Sequence, residues 1–143
     1  MNKKLLSVYY NFVDNLRNLS KCEDRGVACI ICDKTLLQVL SIGVNGGPKG
    51  SDIDCLCKAE TKYSCIHAEA NALVKLNTHV QDKVLICTLA PCSQCASMIV
   101  NEPGGFYAVL YITPWKEQLA IDILKYANIK VGRLTSDGVI YWQ

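Results

Sequence analysis

The chain has 143 residues, half of them apolar, a fifth charged and 8% aromatic, proportions that suit a compact globular fold of about one domain and argue against a disordered or fibrous one. Its 15 basic and 13 acidic residues leave a net charge of +2, which argues against the broad basic face of a nucleic-acid binder while leaving room for a small anion held by one or two cations. Nine cysteines, an odd number, speak against a secreted disulfide framework.

Ser7, Asn11, Asp14 and Asn15 interrupt the apolar positions near the start, so no signal-peptide core is expected, and no run approaches the ~18 apolar residues of a membrane span. The expected setting is a reducing cytoplasm, where clustered cysteines more often hold metal than pair with each other.

Leu5, Val8, Tyr9, Phe12, Val13 and Leu16 recur at spacings of three and four. They predict an amphipathic first helix that ends near Leu19 and packs on the core through that stripe. Val27–Cys32 and Leu36–Ile42 are short apolar runs split by Asp33, Lys34 and Thr35, the pattern of two strands joined by a tight turn. Gly43–Gly50 reads as a loop whose glycines let backbone approach a ligand. Residues 51–66 are polar, carry Cys55, Cys57 and Cys65, and show no period; a loop that long needs its own support or a function.

Further on, the sequence predicts a helix over His67–Leu76, a strand over Val84–Leu89, a helix over Cys92–Val100 and a strand over Phe106–Ile112. A helix over Lys116–Tyr126 and a short strand over Ile129–Val131 follow, and Val139–Gln143 is either an edge strand or a docked tail. Strands alternating with helices predict an α/β sheet covered on both faces. No repeat or linker interrupts residues 1–143, which therefore read as a single domain with a cysteine-bearing insertion at about 51–66.

Two short segments carry the chemistry: His67-Ala68-Glu69 and Pro91-Cys92-Ser93-Gln94-Cys95. Each is weak alone, since His-x-Glu is a common helix start and Cys-x-x-Cys serves redox as well as metal sites. Together they match the H-x-E … P-C-x-x-C signature of zinc deaminases. Cys92 and Cys95 share one helix face at its amide-rich start, which favours the thiolates that zinc needs, and His67 adds a neutral imidazole. Three protein ligands leave a fourth position open, the arrangement of a catalytic site in which zinc brings a water's pKa towards neutrality. Glu69, two residues past the histidine, is then the candidate proton shuttle for replacing an amino group on a heteroaromatic ring.

These motifs, with SKCEDRGVACII at the first strand, GVNGGPKG after the second, TLAPCSQCASMIV and VLYITPWKEQLAIDILKYANIKV, make the chain resemble the cytidine and deoxycytidylate deaminases, most closely the deoxycytidylate (dCMP) branch. The resemblance runs from about Ser20 to Val131. It implies a three-layer α/β/α sandwich around a five-stranded mixed sheet, with His67, Cys92 and Cys95 as ligands of a catalytic zinc and Glu69 as the shuttle. It also implies that Asn45 contacts the sugar and that the backbone of Ala68 meets the base. The histidine at position 67, the pattern from Gly43 to Pro48 and the long interval between Asn45 and His67 favour the dCMP branch over free cytidine deaminases and tRNA adenosine deaminases. The departures are Ala127-Asn128-Ile129, where Ala-Gly-Ile is expected, and the turn Asn101–Gly105 before the fourth strand.

The implied reaction converts dCMP to dUMP for thymidylate synthesis in a homo-oligomer, hexamers being common in the family; some viral members also take dCTP. No nucleic acid or membrane partner is expected. Trp115 is a candidate wall of the base pocket, and Lys49 and Lys116 are candidate phosphate partners. Cys29, Cys32 and Cys87 fall in strands, where cysteine packs as a small hydrophobe. Cys22, Cys55, Cys57 and Cys65 are candidate ligands of a second, structural zinc: four thiolates form a closed tetrahedral set that would pin a weakly apolar insertion to the domain body. The competing readings are a nucleic-acid-editing domain on the same scaffold and a non-catalytic zinc-stapled interaction domain. Low charge and few aromatics oppose the first, and Glu69 opposes the second.

Overall fold

The computed structural model describes residues 1–22, 24–50 and 65–143. One six-stranded sheet runs β2-β1-β3-β4-β5-β6, built from β1 (Ala28–Cys32), β2 (Val39–Val44), β3 (Lys83–Leu89), β4 (Phe106–Thr113), β5 (Lys130–Leu134) and β6 (Ile140–Trp142). Among the described residues the helices are α1 (Lys3–Leu16), α2 (Ala68–Lys75), α3 (Ser93–Val100) and α4 (Gln118–Tyr126), with a 3-10 turn Arg17–Leu19 closing α1. β1 is antiparallel to β2 and β3, β3 to β5 are mutually parallel, and β6 returns antiparallel along β5.

Strand alternation sorts the core into two layers. Ala28, Ile30, Cys32, Val84, Ile86 and Leu110 pack under α1 with Leu6 and Val13. Cys29, Ile31, Leu85, Cys87 and Val109 face the opposite way, under α2, α3 and α4 with Ala68, Ala72, Ala96, Ile99, Ala120 and Leu124. Cys29 and Cys32 thus fall on opposite faces, as strand geometry requires. The three-layer sandwich is present with a sixth strand, because Ile140–Trp142 pairs with Leu134–Gly132 and the terminal stretch is an edge strand. Among the described residues, no helix is long and apolar enough to cross a membrane.

Three local expectations shift. The buried line of α1 runs through Leu6 and Val13, while Val8 and Phe12 are exposed; apolar residues occupy so much of this helix that spacing alone did not single out the inward face. Leu36 belongs to the turn and not to the second strand: its φ is +64°, and the Asp33 carboxylate accepts the N–H groups of Thr35 and Gln38 at 3.1 and 2.7 Å. Gly43 and Val44 belong to β2 and not to the loop. A Cβ at Gly43 would lie 1.9 Å from the Ala68 carbonyl oxygen, so the missing side chain is what lets α2 lie against the strand.

The two departures from the family pattern also have physical reasons. Asn128 has φ +60°, the left-handed position after a helix where asparagine is the usual substitute for glycine. The turn before β4 covers Lys83, whose wholly buried ammonium lies 2.6 Å from Glu102 Oε2 and donates to the Val80 carbonyl at 2.9 Å. A Cβ at Gly104 would meet that ammonium at 2.2 Å.

Strand register decides where a site can form. Ala28 pairs with Val44, Cys29 with Cys87 and Leu89 with Thr113, so the start of β1 and the ends of β2, β3 and β4 share one edge. The connections leaving that edge are the expected ligand-binding end of an open α/β sheet. The segment after β2 is clamped there by a two-hydrogen-bond bridge, Gly46 N–H to Ile66 O at 3.1 Å and Ile66 N–H to Gly46 O at 2.8 Å.

Candidate functional site

His67 and Cys92 are the N-cap residues of α2 and α3, and neither side chain caps its own helix. Both are therefore free to reach across the sheet edge. His67 Nδ1 lies 3.5 Å from Cys92 Sγ and 3.4 Å from Cys95 Sγ, and the three donor atoms all fall within 4.8 Å of one another. The placement of α2 is fixed by the close contact at Gly43 and by two hydrogen bonds to β2, Ser41 Oγ to Ala72 O at 2.7 Å and Asn71 Nδ2 to Val44 O at 2.8 Å. α3 lacks a cap from Cys92, and the Glu117 carboxylate from the loop before α4 supplies one, accepting the Ser93 N–H.

The sulfurs share charge unequally. Hydrogen bonds from Cys95 and His67 hold Cys92 down to about 3, whereas its contact with Cys92, together with burial, pushes Cys95 well above the ordinary thiol range. The bond to Cys92 also raises His67. Two sulfurs and an imidazole within one coordination sphere's reach are the borderline-soft donor set that suits zinc, with a fourth position left over. Glu69 is 4% exposed, and burial raises its carboxyl above the usual range, the shift that lets a carboxylate give as well as take a proton near neutral pH.

His67, Cys92 and Glu69 line a cavity of about 360 Å³ together with Ala68, Asn45, Cys22, Cys65, Asp24, Arg25 and Trp115. Asn45 is nearly buried, and its side chain ties the entry loop together. Oδ1 accepts from Ser20 Oγ at 2.6 Å and Val27 N–H at 2.8 Å, and Nδ2 donates to the Arg25 carbonyl at 2.9 Å. Cys22 and Cys65 come within hydrogen-bonding reach of each other, and burial followed by the proximity of Cys22 raises Cys65. Cys55 and Cys57 lie outside the described residues.

Lys49 and Lys116 are exposed and do not line the cavity, whereas Trp115 does. Arg25 and Glu117 were not singled out from the sequence. Both fall inside segments that carry the family resemblance, SKCEDRGVACII and VLYITPWKEQLAIDILKYANIKV, but neither stands at a metal-ligand spacing.

The family model of the cytidine and deoxycytidylate deaminase zinc-binding region matches residues 4–112. The chain belongs to that family. Human deoxycytidylate deaminase is 33% identical over 95 residues, covering 60% of this chain and 51% of that protein. A probable deoxycytidylate deaminase of Caenorhabditis elegans is 35% identical over 89 residues, covering 57% and 45%. The chain thus spans about half the length of the curated relatives it matches. The crystal structure of a dCMP deaminase from the cyanophage S-TIM5 in complex with dCMP and dUMP superposes with a TM-score of 0.82 at 27% identity, covering 94% of this chain and 99% of that one. The family model describes a zinc-binding region, and the donor atoms of His67, Cys92 and Cys95 are close enough together to hold a metal ion.

Proposed function

We propose that residues 1–143 form one deaminase domain that hydrolyses dCMP to dUMP and ammonia with a catalytic zinc held by His67, Cys92 and Cys95. The observation that carries the reading is the convergence of these three donors, two of which, His67 and Cys92, line a cavity together with the buried carboxylate of Glu69. Bound there, zinc supplies a water acidic enough to be deprotonated near neutral pH. Glu69 takes that proton and passes it first to the ring nitrogen and then to the departing amine; its raised pKa suits both directions. Asn45 holds the sugar end, the Ala68 backbone meets the base edge, and Trp115 walls the mouth.

A second zinc on Cys22, Cys55, Cys57 and Cys65 is part of the same proposal, supported by the approach of Cys22 to Cys65. The protein is proposed to act in the cytoplasm as a homo-oligomer, supplying dUMP for thymidylate synthesis. Ammonia release from dCMP, dCTP, cytidine and deoxycytidine, measured alongside metal content, tests the whole. Fastest turnover of dCMP and two zinc ions per chain are expected. Cytidine exceeding dCMP in kcat/KM would overturn the substrate, and one zinc per chain, unchanged in a Cys22→Ser, Cys65→Ser double variant, would overturn the second metal.

A further inference from the structure

We infer that Tyr107 is a nucleophilic modification site: its phenolic oxygen, activated by Lys130, takes an acyl group from an activated acyl donor. The site lies at the end of the sheet remote from the cavity and is independent of the deaminase reading. Tyr107 is the second residue of β4. The parallel register of β4 and β5 sets Lys130 opposite Ala108, the next residue along, and the Lys130 ammonium donates to the Tyr107 oxygen at 2.9 Å. A second ammonium, that of Lys34, stands 4.5 Å from the centre of the Tyr107 ring, within cation–π range.

The arrangement is held from several sides. Lys34 belongs to the turn between β1 and β2, and the Asp82 carboxylate fixes its ammonium at 2.9 Å. Asp82 is itself held, in the left-handed conformation with φ +55° and with its N–H donated to the Gly104 carbonyl at 3.1 Å. The Tyr107 ring packs against the core under α1 while the residue stays partly exposed, so it is steadied without being sealed from a reagent. The charged groups around it are Lys130 and Lys34, with Asp82 bonded to Lys34, two cations against one carboxylate.

Positive charge beside a phenol favours its ionised form. The hydrogen bond and charge of Lys130, followed by the charge of Lys34, hold Tyr107 below the usual tyrosine range. Tyr9 and Tyr111 go the opposite way, raised by burial. The ionised form is the nucleophile. With N-acetylimidazole, the phenol proton leaves to solvent and an oxygen lone pair forms a bond to the acyl carbon. The carbon–nitrogen bond to imidazole then breaks, and the departing nitrogen takes up a proton, leaving an aryl acetate and no change in oxidation state.

The test treats the folded protein and N-acetyltyrosinamide with N-acetylimidazole near neutral pH, and follows acetylation of Tyr107 by peptide mass spectrometry. Tyr107 should react at least about threefold faster than the free amide, and Lys130→Met should lower its rate by at least about threefold. Hydroxylamine, which strips acetyl from a phenol oxygen and not from an amine, should remove the label. On the wild type alone, the rate should rise at lower pH for Tyr107 than for N-acetyltyrosinamide, so the inference stays testable if Lys130→Met does not fold. Tyr107 reacting no faster than the free amide, a rate unchanged in Lys130→Met, a label resistant to hydroxylamine, or a pH profile at or above that of the free amide would each overturn it.

Discussion

Glu117 Oε2 accepts the backbone N–H of Ser93 at 3.1 Å, so the loop that carries Trp115 is fastened to the first turn of the helix that carries Cys92 and Cys95. Cys92 occupies the N-cap position without capping, and a carboxylate from elsewhere in the chain fills that role. Glu117→Ala should cost about 1 kcal/mol of stability, the usual value of a lost cap. It should also loosen the Trp115 side of the mouth and raise KM for dCMP more than it lowers kcat. Glu117→Gln keeps an acceptor oxygen and should behave like the wild type. Unfolding curves and steady-state kinetics on the two variants check this.

Gly43→Ala is the smallest change that should move the catalytic helix. Its Cβ would fall 1.9 Å from the Ala68 oxygen and 2.7 Å from the Ala72 nitrogen, both backbone atoms that cannot rotate aside. Relief requires α2 to shift, taking His67 and Glu69 with it. A displacement near 1 Å predicts a kcat loss on the order of 100-fold, together with about 1–3 kcal/mol of destabilisation from overpacking. Activity close to wild type would mean that β2 yields and α2 stays in place.

Glu69 and His67 should separate metal binding from turnover. Glu69→Gln preserves the volume of a buried side chain and should retain zinc while reducing kcat by at least about 100-fold, because general acid–base contributions are of that order. His67→Ala removes a donor from a cluster of three and should lose metal and activity together. Metal analysis on protein dialysed against a weak chelator, paired with rates, distinguishes the two outcomes.

Lys83 and Glu102 form an ion pair whose lysine side chain is wholly buried. Removing one partner leaves an uncompensated charge, so Glu102→Ala should destabilise by about 3–5 kcal/mol. A Lys83→Met, Glu102→Leu double variant should recover much of that loss, since apolar replacement of both partners is often neutral. Denaturant unfolding of the two variants reads the difference. The catalytic zinc should stay bound in the double variant, because the pair belongs to the opposite end of β3.

The metal cluster was legible because both halves of its motif stand at helix starts, where local sequence alone predicts geometry. The order of strands and helices was legible for a similar reason: alternating periods of about two and four residues survive without tertiary information. Gly43 and Val44 were not, since a glycine in a strand reads as a loop until the helix lying on it is known. The role of Glu117 was not legible either, because its cap on Ser93 joins residues 24 apart in sequence that meet only in the fold.

The bridge between Gly46 and Ile66 makes the chain leave the sheet edge and return to it at one place. Whatever occupies the interval is joined to the body by neighbouring ends, so the loop-closure cost of changing its length is small, about 0.6 kcal/mol per doubling. A Gly/Ser graft in place of residues 48–64 would therefore separate two roles: it keeps the Gly46–Ile66 footing of α2 while removing Cys55 and Cys57, and with them the proposed second metal site.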